Sequence, residues 1–192
     1  GDAYRKQLDG SNAFKMYTQA LELDPSLAEA HHKLGEIFKS QKNSELYVPQ
    51  FIDAVKADEN YVPSLLELYN YYFYAGNFDE AKQYMDKYIA AADPSSQTDY
   101  MKADLYYVTK KYPEAIQTAL KIIQDEGDSA KPRLYKMIAY CYDEQSDSVK
   151  ALQAINTYFT KENEKNYVMK DFDLKASLLE KNDQKNDALE WY

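Results

Sequence analysis

Apolar and polar residues recur along this chain with the period of an amphipathic helix, in short segments that turn-forming residues separate. The stretch from Ala28 to Phe38 shows the pattern clearly, and a turn at Asp24-Pro25 precedes it. Along the whole sequence the same period predicts an all-α protein. The predicted helices lie near residues 1–7, 11–23, 27–40, 45–57, 62–75, 78–91, 97–110, 113–125, 131–145, 148–160, 167–181 and 184–192.

Prolines and a Gly-Asn pair mark several helix ends. Gly76-Asn77 predicts a turn, and Pro113 suits the first turn of the helix that follows it. Pro49 instead falls inside a predicted helix, between Tyr47 and Phe51. Because proline lacks a backbone donor and crowds the preceding turn, we expect that helix to begin late or to kink.

The helices also repeat in pairs. One column of mostly small residues recurs at steps of 34, 34, 34, 36 and 37 residues, and two further columns keep the same steps. Small residues let paired helices approach closely, while a large aromatic fills the space between pairs. A two-helix unit cannot bury its apolar faces alone, so each unit must stack on the next. The columns are Ala13, Tyr47, Ala81, Ala115, Ala151 and Ala188; Tyr4, Phe38, Tyr72, Tyr106, Tyr142 and Leu179; and Gly1, Gly35, Tyr69, Ala103, Ala139 and Ala176.

This pattern resembles the tetratricopeptide repeat family, whose motif has a small residue at its eighth position, Tyr or Phe at its eleventh and Ala at its twentieth. The resemblance covers the whole chain and implies a right-handed α-solenoid of about five to six antiparallel helix pairs, in a single domain over residues 1–192. The implied units are 1–27, 28–61, 62–95, 96–131, 132–168 and 169–192. The first two units match the motif at Gly1, Tyr4, Ala13, Ala20, Pro25, Leu34, Gly35, Phe38, Phe51 and Ala54, whereas His31 replaces the preferred Trp.

Departures from the motif predict a somewhat irregular solenoid. The steps of 36 and 37 residues indicate insertions in the turns near 125–130 and 161–166. Gly1 falls at the eighth motif position and the chain stops partway through its last helix, so we expect either that the natural protein is longer or that the termini pair with something else. A large side chain replaces a small one at four positions, where we expect it to splay the helix pair or to shift its register. These positions are Tyr47, Tyr69, Tyr88 and Tyr158.

Charge and composition narrow the classes of function. The net charge is −9, and residues 1–96 carry nine basic and 15 acidic side chains, which argues against a nucleic-acid binder. No apolar run approaches the roughly 20 residues of a membrane-spanning helix, and no signal peptide is visible. The composition is typical of a soluble bacterial protein, and it leaves the cytoplasm, the periplasm and the cell envelope open as compartments.

The sequence contains no catalytic or cofactor motif, so we predict a protein that is not an enzyme and holds no cofactor or metal. Five glycines spread over 192 residues cannot form a phosphate-binding loop. His32 and Glu36 lie one helical turn apart but offer only two metal ligands, so we expect a surface pair. Cys141 lies in the apolar run 137–142, which predicts a buried, inert thiol.

The family resemblance implies a concave groove, lined by the first helix of each repeat, that binds an extended peptide or a partner helix. Its positions carry tyrosines and polar residues here, and tyrosine suits binding surfaces because a large ring ends in a polar hydroxyl. In the alternative interpretation these rings pack between repeats, as we expect for Tyr72, Tyr106 and Tyr142. The predicted groove residues are Lys33, Glu36, Glu67, Asn70, Phe73, Tyr74, Tyr100, Asp104, Tyr107, Arg133, Lys136 and Tyr140.

The leading hypothesis is therefore a protein-interaction scaffold whose partner and oligomeric state the sequence does not reveal. A chaperone-type carboxylate clamp is not predicted, because acidic residues such as Glu36 and Glu67 occupy its positions. Two alternatives stay open. The groove could stack the sugar rings of a glycan, or the chain could be the regulatory segment of a larger protein.

Overall fold

The computed structural model describes residues 10–92 and 96–191, and in those ranges every regular element is a helix. Most helices begin and end close to the predicted positions, because the apolar period and the turn residues determine both. The helix predicted at 184–192 is wrong in its length, since it ends at Ala188 and residues 189–191 form a turn. The predicted helix at 1–7 lies outside the described residues. The helices are α1 (Gly10–Leu23), α2 (Ala28–Ser40), α3 (Ser44–Ala57), α4 (Val62–Tyr74), α5 (Phe78–Ala91), α6 (Ser96–Val108), α7 (Tyr112–Glu126), α8 (Arg133–Glu144), α9 (Ser148–Lys161), α10 (Met169–Lys181) and α11 (Lys185–Ala188).

The contacts divide the chain into two compact units, Gly1–Pro94 and Ser95–Tyr192. Unit 1 contains α1 to α5 and unit 2 contains α6 to α11, and within each unit every helix packs on the next one. Short turns join these packed neighbours, so consecutive helices run antiparallel. That the two units form one domain stays a prediction.

The column of small residues lies in the core, as its spacing predicts. Ala13, Ala81, Ala115 and Ala151 are fully buried, and Ala188 is 1% exposed. Close packing between two helices also explains why residue 35 is a glycine. A Cβ atom added there would lie 2.5 Å from the ring of Phe51, so α2 and α3 can approach this closely only through a glycine.

The tyrosines that depart from the motif are part of the core. Tyr69, Tyr88 and Tyr158 are at most 7% exposed. Tyr47 is half-buried, with its ring centroid 5.9 Å from those of Phe51 and Tyr71. Large rings therefore take the volume that small residues leave open elsewhere in the repeat.

Two predictions about turns have different outcomes. The insertions lie where the repeat spacing puts them, and each forms a turn of 3₁₀-helix, at Gly127–Ser129 and Glu164–Asn166. The late start expected for the helix around Pro49 is wrong. That helix begins at Ser44 and carries Pro49 as an exposed residue, so the ring points away from the core.

The turn between the two helices of each repeat has a backbone feature that the sequence analysis missed. In the described part of the chain one residue in each of these turns has a positive φ of 59° to 79°, which places it in the left-handed region. These residues recur at the repeat spacing, and only one of them is a glycine. They are Lys42, Gly76, Lys110, Ser146 and Asp183.

Candidate functional site

Ion pairs connect the first helices of neighbouring repeats. In unit 1 the Lys39 ammonium on α2 contacts the Glu67 carboxylate on α4. Lys33 pairs with Glu36 within α2, at 3.1 Å. The predicted groove positions of α2 and α4 therefore lie on one shared face of unit 1.

The same arrangement recurs in unit 2. The Arg133 guanidinium on α8 donates two hydrogen bonds to the Asp104 carboxylate on α6, at 2.6 and 3.0 Å. Lys136 on α8 lies 3.0 Å from Asp171 on α10, and Lys181 on α10 pairs with Asp143 on α8. Because the charges within each pair neutralise one another, these six side chains add no net charge to the surface of α6, α8 and α10.

Asp171 is the residue on this face that the sequence analysis did not identify. Its side chain is 1% exposed, and its carboxylate accepts hydrogen bonds from the Tyr158 hydroxyl at 2.9 Å and from Lys136. It also accepts one from the backbone N–H of Val168, at the start of α10. Burial together with this carboxylate raises the pKa of Tyr158, and burial is the main reason that the pKa of nearby Tyr140 rises to about 12.

Tyr100 does not present its ring as the groove prediction requires. The side chain is 6% exposed, and the Lys131 ammonium and the Arg133 guanidinium lie over its ring at 4.8 and 5.2 Å. Its hydroxyl donates to Glu126 at 2.8 Å and accepts from the Lys131 backbone N–H at 2.9 Å. The turn inserted after α7 and the side chains of Lys131 and Arg133 therefore cover the ring.

The other predicted rings differ in their exposure. Phe73 is half-buried against Tyr69 and Phe78, and Tyr107 is half-buried in the core of unit 2, where burial raises its pKa. Tyr140 is half-buried, and its hydroxyl lies 3.4 Å from the Lys170 carbonyl oxygen. Tyr74, at 84% exposed, is the most open of the set.

An open pocket of about 570 Å³ lies beside Tyr74 in unit 1. Tyrosines from α3 and α4 form its walls, and polar side chains from α2 and α4 complete it. We call it the tyrosine pocket, and its principal lining residues are Lys39, Tyr47, Glu67, Asn70, Tyr71 and Tyr74.

The expectation that His32 and Glu36 form a pair on the surface is wrong for His32, which is buried. It is 6% exposed, its ring lies between those of Phe51 and Tyr61, and its Nδ1 is 2.9 Å from the Ser64 hydroxyl. Its Nε2 is 3.9 Å from Glu36. Among the described residues no group of three or more His, Cys, Asp or Glu side chains could hold a metal ion.

Cys141 is fully buried, as the apolar run around it predicts. Burial raises the pKa of its thiol to about 12, so the reactive thiolate is scarce at neutral pH. No helix in the described part of the chain is long and apolar enough to cross a membrane.

Comparisons with known proteins agree with this fold. One family model, described as a TPR repeat, matches residues 1–42, and a second, described as a tetratricopeptide repeat, matches residues 66–132. A comparison with curated protein sequences gives no match.

Several solved structures are similar to the chain. The MamA fragment "41-end" from Desulfovibrio magneticus RS-1 is 15% identical, with a TM-score of 0.72, and the match covers 85% of this chain and 90% of that one. PilF from Pseudomonas aeruginosa is 19% identical, with a TM-score of 0.68 and coverages of 98% and 84%. YrrB, described as a TPR protein with an unusual peptide-binding site, is 14% identical, with a TM-score of 0.69 and coverages of 91% and 88%.

At these sequence identities the structural matches are evidence for the fold and for nothing more. The two family matches together span more than half of the sequence, and the helix pairs, the buried small-residue column and the turns follow the same repeat. The chain belongs to the tetratricopeptide repeat family.

Proposed function

We propose that the chain is a non-enzymatic scaffold that binds a peptide or a partner helix on the first helices of its repeats. Each unit has a face of its own, which α2 and α4 form in unit 1 and α6, α8 and α10 form in unit 2. The observation that carries the proposal is the pairing of predicted groove side chains across neighbouring first helices, as in Lys39–Glu67 and Arg133–Asp104. Such pairs need the side chains of adjacent repeats to point to one surface.

The role agrees with the family, because tetratricopeptide repeat proteins are generally scaffolds for protein interaction. The proposal that the chain catalyses no reaction rests on the same ground. The mutual pairing of the charges modifies the groove hypothesis. We infer that affinity comes mainly from rings such as Tyr74 and from hydrogen bonds to groups such as Asn70, and less from unpaired charge.

A selection from a displayed peptide library tests this function. We expect the full chain to enrich peptides whose synthetic versions bind it saturably in solution. Tyr74→Ala should weaken that binding about tenfold, because a contact aromatic contributes roughly 1–2 kcal/mol or more. Circular dichroism must show that the variant keeps its helices.

Leu120→Ala is the matched control. Leu120 is 48% exposed on α7, the second helix of its repeat, and should leave peptide binding unchanged. If Leu120→Ala weakens binding as much as Tyr74→Ala does, the first-helix face is not the binding surface. If the chain instead binds only neutral oligosaccharides, the glycan alternative replaces the peptide proposal.

A further inference from the structure

Two walls of the tyrosine pocket meet at a right angle. The ring centroids of Tyr47 and Tyr71 are 5.9 Å apart and their planes make an angle of 88°. Tyr74 follows Tyr71 by three residues on α4 and presents a third ring that is 84% exposed. The face of a tyrosine ring carries negative potential and attracts cations, most of all those with a planar guanidinium group.

The Glu67 carboxylate lines the same pocket as these three rings. Glu67 is 24% exposed, and its ion-pair partner Lys39 is 48% exposed. The anion is therefore the more enclosed partner, while the cation reaches it from the solvent side. Among the described residues Lys39 is the only partner of this carboxylate, which can accept about four hydrogen bonds and so has capacity for a second cation.

Asn70 lies three residues after Glu67 on the same helix and also lines the pocket. Its carboxamide makes no hydrogen bond to any residue in the described ranges. A carboxamide donates and accepts at once, which matches the C=O and N–H of an extended peptide. The pocket therefore offers a group for a backbone next to a group for a cationic side chain.

The charge of the surrounding unit favours a basic partner. Residues 1–96 carry a net charge of −6, from nine basic and 15 acidic side chains. An acidic protein attracts cationic ligands over the distance of a Debye length and raises their association rate.

We propose that the tyrosine pocket binds an arginine or lysine side chain of a peptide partner, with the Glu67 carboxylate, which the ligand shares with Lys39, as its counter-ion. The rings of Tyr71 and Tyr74 cover the cation, and the Asn70 carboxamide pairs with the peptide backbone beside it. This inference rests on the proposed function, since it names the partner class for the unit 1 part of the same face.

The experiment compares blocked peptides that differ at one position. The probes are acetylated and amidated Ala-Ala-Xaa-Ala-Ala, in which Xaa is arginine, lysine, glutamate or citrulline, the neutral isostere of arginine. Binding to the full chain is followed by the shifts of its tyrosine ring signals in nuclear magnetic resonance. We expect the arginine peptide to bind about tenfold more tightly than the citrulline peptide, the range for one charge-assisted hydrogen-bonded pair.

Two variants change the pocket charge in opposite senses. Glu67→Gln should remove the preference for arginine over citrulline, because the counter-ion is lost while the shape stays. Lys39→Met should bind the arginine peptide severalfold more tightly, because the competing cation is gone. Glu29→Gln is the matched control. It also removes one negative charge from unit 1, but in the first turn of α2, at the opposite end of that helix from Lys39. It should therefore keep the preference for arginine over citrulline.

Each result decides the question. If arginine and citrulline peptides bind equally, or if Glu29→Gln acts like Glu67→Gln, the cation site is wrong while the peptide-binding function stands. If none of the peptides shifts the Tyr74 signals and a neutral maltooligosaccharide does, both the cation site and the peptide function of this face are overturned. A tighter complex with the glutamate peptide overturns the inference as well.

Discussion

At the residue scale, non-glycine residues with a left-handed backbone in the turns strain the fold, and a glycine would remove that strain. Lys42 has a φ of 59° and Lys110 also has a φ of 59°. A side chain with a Cβ atom is strained in this region by about 1 kcal/mol, and glycine is not. Neither lysine side chain makes a hydrogen bond or ion pair to a residue in the described part of the chain. Their backbone N–H groups donate to the Lys39 and Tyr107 carbonyl oxygens, and a glycine would keep both of these bonds.

We therefore expect Lys42→Gly and Lys110→Gly each to raise the free energy of unfolding by roughly 0.5–1 kcal/mol. The reverse change, Gly76→Ala, should lower it by about 1 kcal/mol. A Cβ atom at Gly76 meets no atom within 4 Å, so its φ of 79° is the only reason for the loss. Urea unfolding followed by circular dichroism measures all three. A loss of stability in the two lysine variants would contradict the argument.

Residue identity also explains which predictions from the sequence held. The buried alanines and the close approach at Gly35 follow from their spacing and size alone, and the structure confirms them. The left-handed column was missed because four of its five members are not glycine, so composition gave no signal. A spacing test on the turn positions would have found it, since the column keeps the repeat step.

At the element scale, Asp171 joins three helices. It lies on α10, while Tyr158 is on α9 and Lys136 is on α8. A buried carboxylate is stable only when its partners are all in place, so the three helices are held in one relative arrangement. The sequence pattern could not reveal this, because an Asp in the first turn of a helix is ordinarily an exposed capping residue.

We expect Asp171→Ala to lower the free energy of unfolding by about 2–4 kcal/mol, because it leaves the buried Tyr158 hydroxyl without an acceptor. Asp143→Asn is the control. It breaks the more exposed pair with Lys181 between the same helices, α8 and α10, and should cost less than about 1 kcal/mol. Equal losses from the two variants would show that burial of the carboxylate is not the cause.

Helix bounds were predictable because periodicity and turn residues are local signals. Exposure of the groove residues was not predictable, because it depends on contacts between elements that are separate in the sequence. Tyr100 is covered by the turn after α7, and the charges predicted to meet a partner are paired with one another. His32 is buried for the same reason, since its neighbours Phe51 and Tyr61 come from other elements.

At the scale of the whole molecule, the many part-buried tyrosines make folding sensitive to alkaline pH. Burial raises the pKa of Tyr140 from 10.0 to about 12 and that of Cys141 from 9.0 to about 12. Burial raises the pKa of Tyr72, Tyr84 and Tyr107 as well. The folded protein then binds more protons than the unfolded chain between these values, so stability is complete below about pH 9 and falls as the pH rises toward 12.

We expect the helical circular dichroism to be lost between pH 10 and 12, together with a rise in tyrosinate absorbance. Tyr140→Phe removes one of these protons and should move the transition to higher pH. Ionisation of Tyr140 near pH 10 while the helices persist would contradict the prediction, because it would show that this ring is exposed to solvent in solution.

The packing at the end of unit 2 determines what tryptophan fluorescence can report. The only tryptophan, Trp191, lies against Lys175, whose ammonium is 3.4 Å from the ring centroid, and against Phe159, at 4.8 Å. Its fluorescence therefore reports on the packing of α9 and α10. Repeat proteins unfold as chains of neighbouring interactions, so one helix pair can open by itself. Tryptophan emission should follow the loss of the contacts between α9 and α10 in urea, whereas circular dichroism averages over all the helices, and the chain thereby carries its own label for the opening of this one helix pair.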